Sequence, residues 1–227
     1  KIGPGDITWF EIIKKIAKKK KPVLIATGAS SFKDVARAVK EIMRYNKKIV
    51  LMQCNTNYTA DNANHKFLNL KVLEQFKKKF KNKVILGLSD HTAGHNSVLG
   101  AVAMGARVVE KHFTDDNKRK GPDHKFSMNA KTWKAMVDET RLLENSLGDG
   151  YKKIEKNEQD AVIVQRRSIR AAKKLFKNEK IKEDSLIFLR PAPINSLAPY
   201  EKRKILNKTL KKDITKGDLI NWSKIKN

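Results

Sequence analysis

The stretch VILGLSDHT, residues 84–92, contains the pattern that decides the fold. Its apolar first half is typical of a fully buried strand, and polar residues follow directly at the carboxyl end of that strand. A second stretch, RVVEKHF at 107–113, repeats the arrangement after one helical segment. Each stretch carries a histidine near its end, His91 or His112. Two such strands, one helix apart, predict parallel neighbours in a β/α sheet.

The same unit of strand, polar turn and amphipathic helix recurs on both sides of this stretch. Residues 1–3 look like the end of an earlier strand. A (β/α)8 barrel and an open doubly wound sheet both satisfy this alternation, and because a full barrel needs ~250 residues, residues 1–148 would form roughly its second half. Strands are predicted at 23–27, 49–54, 84–90 and 107–113, and helices at 6–19, 32–45, 68–79, 97–104 and 130–147.

A change in composition predicts a second domain. Gly148 is a helix C-cap signal, and the polar, charged residues 149–165 are typical of a linker. Residues 166–227 contain short β-like pieces at 187–189 and 220–222, separated by charged turns and prolines. We predict a partial barrel, a linker and a small β-rich domain. The chain opens on a strand without Met, so we expect missing upstream strands, and we expect these 227 residues alone to be inactive and aggregation-prone through open strand edges.

The net charge of +26 raises the alternative of a nucleic-acid-binding protein. The lysines are nevertheless spread over predicted helix faces and turns, without interleaved aromatics or zinc-finger spacing, so no nucleic-acid partner is expected. The apolar runs are too short to cross a membrane, and we expect no secretory signal. The single cysteine, Cys54, fits a reducing compartment, and we expect a cytoplasmic protein. Cys54 is interpreted as a core residue rather than a nucleophile.

Alternation along the two strands predicts a shared pocket. Ser89 and His91 face one side of their strand, and Glu110 and His112 face one side of the next. Neighbouring strands lie ~4.8 Å apart, so two imidazoles at their carboxyl ends could reach one metal ion at ~2.0–2.2 Å, beside the candidate catalytic carboxylate of Glu110. Alternatively, each histidine only caps its strand. Asp123, in the turn GPDH at 121–124, either binds substrate hydroxyls or caps that turn.

The motifs SDHT at 89–92, EKHFT at 110–114 and GPDH at 121–124 resemble, in this order, those of the sialic acid synthase family, which includes synthases of related nonulosonic acids. The resemblance extends to the last part of the chain, which is similar to the family's antifreeze-like SAF domain. Further matching segments lie at 1–3, 21–23, 27–28, 69–70, 166–168 and 189–191.

The resemblance implies the C-terminal half of a (β/α)8 TIM-type barrel followed by a SAF domain that is exchanged across a homodimer. It also implies a transferase that condenses phosphoenolpyruvate with N-acetylmannosamine or a related acylamino sugar and releases phosphate, with a divalent metal, commonly Mn²⁺. By position, the resemblance assigns His91 and His112 as metal ligands, Asp6 as catalytic, Lys1 and Ser89 to phosphoenolpyruvate, Tyr58 and Asp123 to the sugar, and Arg190 to the partner's substrate.

Three positions depart from the family pattern. Family members usually have Ser where this chain has Pro4 and Ala26, and Asn where it has Thr56. Those family side chains contact phosphate or carboxylate oxygens, so their loss leaves open a different substrate or a degenerate barrel kept as a binding module. Another phosphoenolpyruvate-dependent synthase, or an aldolase, is a further alternative.

Overall fold

The computed structural model describes residues 1–59 and 61–226, which form two compact units, Lys1–Gly150 and Tyr151–Asn227. Each unit has a buried apolar cluster of its own. The first unit consists of α1 (Phe10–Ala17), β1 (Val23–Ala26), α2 (Phe32–Met43), β2 (Ile49–Cys54), α3 (His65–Leu68), α4 (Val72–Phe80), β3 (Ile85–Asp90), α5 (Asn96–Ala103), β4 (Val108–Lys111) and α6 (Ala130–Leu147), with 3-10 turns at Pro4–Asp6, Asn62–Asn64 and Lys81–Lys83.

The four strands of the first unit form a parallel sheet in the order β1-β2-β3-β4. Single bridges continue the sheet at both edges, because Ile2 pairs in parallel with Ile25, and Phe113 with Met128. The strand end predicted at residues 1–3 is therefore confirmed as a bridge. An α/β unit with neighbouring strands β3 and β4 agrees with the prediction from the alternating pattern.

Apolar faces at helical spacing attach the helices to this sheet. Ser31 and Asp34 form a capping box that starts α2, and Val39 on the same helix is fully buried. On the sheet, Leu51 and Leu88 are also fully buried. Complete burial of one such side chain contributes about 1.5–3 kcal/mol, so this core holds the strand ends in fixed positions.

The helix predicted at residues 6–19 is wrong at its start. The chain forms a 3-10 turn at Pro4–Asp6 and begins α1 only at Phe10. Trp9 lies between them with non-helical backbone angles, φ −90° and ψ 85°, and so interrupts any continuous helix. Asp6 is therefore part of an exposed turn rather than a helix.

The second unit has a two-stranded antiparallel sheet of β5 and β6 around a small core. The β-like piece predicted at 220–222 is not a strand, because Leu219 forms a single bridge with Arg170 and a 3-10 turn starts at Trp222. The end of the predicted linker forms a helix in the structure. The amide of Ala192 donates to the Ile163 carbonyl, so this helix packs within the second unit. The elements are α7 (Gln159–Gln165), β5 (Ser168–Ala171), β6 (Leu186–Leu189) and α8 (Lys202–Ile205), with 3-10 turns at Lys156–Glu158, Glu183–Ser185, Pro199–Glu201 and Trp222–Lys224.

Candidate active site

His91 and His112 meet just past the carboxyl ends of β3 and β4. The strand register pairs Ser89 with Glu110 and the next two residues with each other, so the histidines follow at matching height. Their ring centroids are 5.1 Å apart at an interplanar angle of 68°. Two imidazoles bound to one ion at ~2.1 Å, with N–metal–N angles of about 90–109°, have centroids roughly 4.6–5.3 Å apart. The predicted convergence is present, whereas metal binding stays a prediction.

Among the described residues, the polar contacts of both rings involve Nδ1, so the two Nε2 atoms are available. Nδ1 of His91 lies 2.9 Å from the carbonyl oxygen of Asn55, and because a carbonyl only accepts, this nitrogen carries the proton and donates. Nδ1 of His112 lies 3.4 Å from Oδ2 of Asp123. Carbonyl and carboxylate partners of this kind orient metal-binding histidines. Burial lowers the pKa of His91, which favours the neutral ring that a metal ion requires.

A cavity of about 230 Å³ opens beside the two rings, and Lys1, Ser89 and Glu110 form its polar wall. The ammonium of Lys1 donates to the carboxylate of Glu110. Burial raises the pKa of Glu110, but hydrogen bonds from Lys1 and Ser89 lower it by more than burial raises it, so the pKa lies below its usual value. Glu110 is therefore an ionised carboxylate next to a cation and a hydroxyl.

Tyr58 covers the two imidazoles from the loop after β2. Its ring centroid lies 4.4 Å from that of His91 and 5.7 Å from that of His112, while 45% of the residue remains exposed. Burial of the phenol raises the pKa of Tyr58, so its hydroxyl stays protonated and can donate. This side chain combines an apolar contact to the histidines with a polar group at the cavity.

The structure brings six of the nine predicted residues together in the cavity wall, and the other three do not line it. Asp6 is exposed and is not among the residues that line the cavity, and its catalytic role stays a prediction. Asp123 contacts His112 and does not line the cavity wall. Arg190 is exposed in the second unit. The six that line the cavity are Lys1, Tyr58, Ser89, His91, Glu110 and His112.

Sequence reasoning missed three supporting residues. The carbonyl of Asn55 fixes His91, and a backbone acceptor leaves no signal in side-chain patterns. Asp90 and Lys111 form a buried ion pair directly before the two histidines, and both also line the cavity. The position of two opposite charges in neighbouring apolar strands could have identified Asp90 and Lys111 from the sequence. Cys54 is buried, which agrees with its interpretation as a core residue. Its Sγ lies 3.9 Å from Nδ1 of His91, and burial raises the pKa of its thiol.

The donor set fits a divalent cation only in part. Across residues 1–59 and 61–226, no group of three or more His, Cys, Asp and Glu side chains could hold an ion. Two neutral imidazoles would thus need oxygen ligands from substrate or water, and such mixed N and O ligation suits manganese among other metals. In the same described residues, no helix is long and apolar enough to cross a membrane.

The fold and site together define a β/α protein with a polar cavity at the carboxyl ends of its strands. Residues 1–152 match the NeuB family, and residues 166–226 match the SAF domain. The chain belongs to the NeuB family. The resemblance to sialic acid synthases and the prediction of part of a (β/α)8 barrel with a SAF domain are thereby confirmed.

Individual relatives agree with this assignment. The chain is 38% identical over 218 residues to an N,N'-diacetyllegionaminic acid synthase of Campylobacter jejuni, which covers 94% of this chain and 64% of the relative. It is 36% identical to a pseudaminic acid synthase of the same species, covering 97% and 62% of the two chains. The crystal structure of an N-acetylneuraminic acid synthetase from Leptospira borgpetersenii, in complex with citrate, matches with a TM-score of 0.64 and 27% identity, over 71% of this chain and 55% of that one. The chain thus spans less than two thirds of the length of these proteins.

Proposed function

We propose that this chain is the metal-binding part of a synthase that joins phosphoenolpyruvate to an acylamino sugar. The observation that carries the proposal is the meeting of His91 and His112 beside Lys1, Ser89 and Glu110 in one cavity. Two relatives that match nearly the whole chain are an N,N'-diacetyllegionaminic acid synthase and a pseudaminic acid synthase, which supports this substrate class. A diacetamido sugar is the acceptor that the first of these names favours.

The proposed reaction makes one carbon–carbon bond and releases one phosphate. C3 of phosphoenolpyruvate attacks the aldehyde carbon of the open-chain sugar, water adds at C2, and the C2–oxygen bond to phosphate breaks. The ammonium of Lys1 and the hydroxyl of Ser89 are suited to bind the anionic oxygens of phosphoenolpyruvate. The ionised Glu110, held by both groups, is suited to orient water or to accept its proton.

His91 and His112 would hold the divalent cation, for which we propose Mn²⁺. When bound there, a divalent cation supplies Lewis-acid polarisation of the sugar aldehyde. The chain's own contribution is to orient both imidazoles through Asn55 and Asp123 and to cover them with Tyr58. Oriented, partly covered ligands favour a substrate oxygen over bulk water at the remaining coordination positions.

The experiment that tests the proposal measures phosphate release from phosphoenolpyruvate by the protein at the full length that its gene encodes. The acceptor panel contains N-acetylmannosamine, its 6-phosphate and a diacetamido hexose, each with and without Mn²⁺. We expect release that requires both acceptor and metal, and a loss of at least about 100-fold in His91→Ala and His112→Ala. His65→Ala, an exposed residue outside the cavity, is the matched control. Phosphate release without acceptor, or near-normal rates in both cavity variants, would contradict the proposal.

We further propose a homodimer in which the SAF domain offers Arg190 to the partner's cavity, in a cytoplasmic protein. The exposure of Arg190 and the match of residues 166–226 to the SAF domain support the exchange, and the single Cys54 supports a reducing compartment. Mixing inactive His112→Ala with inactive Arg190→Ala protein should restore part of the activity, since one hybrid cavity then has both groups. No restoration by a dimer confirmed by light scattering would exclude the exchange.

A further inference from the structure

Eight exposed lysines lie at the amino-terminal ends of the strands, whereas the histidine cavity lies at their carboxyl ends. They come from the turns at 18–22, 44–48 and 81–84, each of which leads from a helix into the next strand. Because parallel strands begin at one edge of a sheet, the register of β1, β2 and β3 makes these turns neighbours. The lysines are Lys18, Lys19, Lys20, Lys21, Lys47, Lys48, Lys81 and Lys83.

Among the described residues, no carboxylate compensates the charge of these eight lysines, although Lys20 donates to the Tyr45 carbonyl and Lys18 lies over the Tyr45 ring. The three turns contain no Asp or Glu, and in the part of the chain that the structure describes none of the eight lysines forms an ion pair. Elsewhere exposed lysines do find partners, as Lys134 does with Asp138 at 2.5 Å. The turns that leave the strands at 27–31 and 91–95 contain no Lys or Arg. Repulsion among unpaired like charges makes an anion a favourable ligand here.

The same edge is concave. One cavity of about 490 Å³ is lined by Met43, Lys47, Asn82 and Lys83, and we call it the basal cavity. A second, of about 390 Å³, shares Met43 and Lys47 with it and adds Lys20 and Lys48 to the wall. Lys47 therefore lines both cavities, to which Lys83 adds one further ammonium group in the first and Lys20 and Lys48 add two in the second.

We propose that the basal cavity binds a small anion that carries several phosphate groups. Lysine ammonium groups are compact donors that bind phosphate oxygens as point charges, without the planar geometry that arginine requires. The amide of Asn82 adds neutral hydrogen-bonding capacity. The concave shape favours a compact ligand over a flat bilayer surface. A nucleic-acid strand would need exposed rings for stacking, whereas Tyr45, the aromatic residue of these turns, is partly buried with Lys18 5.5 Å from its ring.

The test uses isothermal titration calorimetry of the protein at the full length that its gene encodes. Inorganic tripolyphosphate is the probe, and the buffer contains EDTA so that no metal ion bridges protein and probe. We expect saturable binding with one tripolyphosphate per chain, weakened roughly tenfold in Lys47→Gln/Lys83→Gln because two charge contacts are lost. Lys211→Gln/Lys212→Gln removes the same charge from two exposed lysines of the second unit and should bind as the unaltered chain does. His112→Ala should also bind normally, so the result does not depend on the proposed synthase activity.

Three outcomes would overturn the proposal. Absence of saturable binding excludes the site, and equal weakening in both lysine pairs shows that net charge alone attracts the probe. Binding to vesicles of anionic phospholipid, or to duplex DNA, with no saturable tripolyphosphate binding would assign the edge to an extended polyanion instead. The affinity for duplex DNA should then fall steeply as the salt concentration rises.

Discussion

The ammonium of Lys111 lies 2.6 Å from Oδ2 of Asp90, and the two side chains are 2% and 0% exposed. Lys111 also donates to the carbonyl of Thr92 at 2.7 Å, and the hydroxyl of Ser97 donates to the same Asp90 oxygen. The pair joins β3 to β4 one residue before each histidine, and both of its residues line the cavity. It therefore links the two strand ends that set the relative height of the imidazoles.

Removing one charge of this pair should cost far more than removing both. Asp90→Asn leaves the buried ammonium of Lys111 without a counter-charge, and we expect a loss of about 3–5 kcal/mol in the free energy of unfolding. In Asp90→Asn/Lys111→Met no charge remains buried, so the loss should be smaller than in the single variant. Urea unfolding followed by tryptophan fluorescence measures both, in a Trp222→Phe background that removes the signal of the second unit. Equal losses in the single and double variants would contradict this account.

The same pair predicts how the first unit responds to acid. Burial raises the pKa of Asp90. The ammonium of Lys111 and hydrogen bonds from Lys111, Ser97 and Thr92 lower it by more than burial raises it, so the folded-state pKa lies below the usual value. A depressed carboxyl pKa stabilises the fold fully above the unfolded-state pKa of about 3.9, and this stability is lost as pH falls towards the folded-state value. Unfolding free energies measured from pH 6 to pH 3 should fall less steeply in Asp90→Asn/Lys111→Met. Parallel pH curves would refute the assignment to this pair.

The parallel α/β array could be predicted because it depends on local patterns. The apolar runs that end at Cys54 and Asp90 indicate strands. The helices between them indicate that these strands run parallel. Alternation then correctly placed Ser89 with His91 and Glu110 with His112, since period-two geometry holds in any strand.

The remaining features of the site depend on contacts that a single strand does not encode. Asp6 was predicted on a helix, yet the backbone at Trp9 interrupts that helix and leaves the carboxylate in an exposed turn. Asp123 lies beside His112 because its loop folds back, with the amide of Met128 donating to the His112 carbonyl. Such long loops follow tertiary packing rather than sequence periodicity.

Gly87 should tolerate no side chain. A Cβ at this position would lie 2.8 Å from the carbonyl oxygen of Val108 and 3.0 Å from Cγ of Met52, so the backbone of β4 would have to move. We expect Gly87→Ala to lower the free energy of unfolding by about 1–3 kcal/mol and to weaken Mn²⁺ binding, because β4 leads to His112. Gly5→Ala is the matched control, since nothing lies within 4 Å of its Cβ. Urea unfolding and Mn²⁺ titration should both separate the two variants, and similar behaviour would show that β3 and β4 can shift freely.

Tyr58 should act through its ring on the metal and through its hydroxyl on the sugar. The ring packs against both imidazoles, so Tyr58→Phe should keep Mn²⁺ affinity, while Tyr58→Ala removes one of the contacts that hold the rings and should lower it. Loss of the hydroxyl removes one hydrogen bond, so both variants should raise the KM for the acceptor by roughly 2- to 10-fold. Titration of free Mn²⁺ by electron paramagnetic resonance gives the first quantity, and phosphate release at varied acceptor concentration gives the second. An unchanged Mn²⁺ affinity in Tyr58→Ala would mean that Asn55 and Asp123 suffice to orient the histidines, and that the Tyr58 ring serves the acceptor alone.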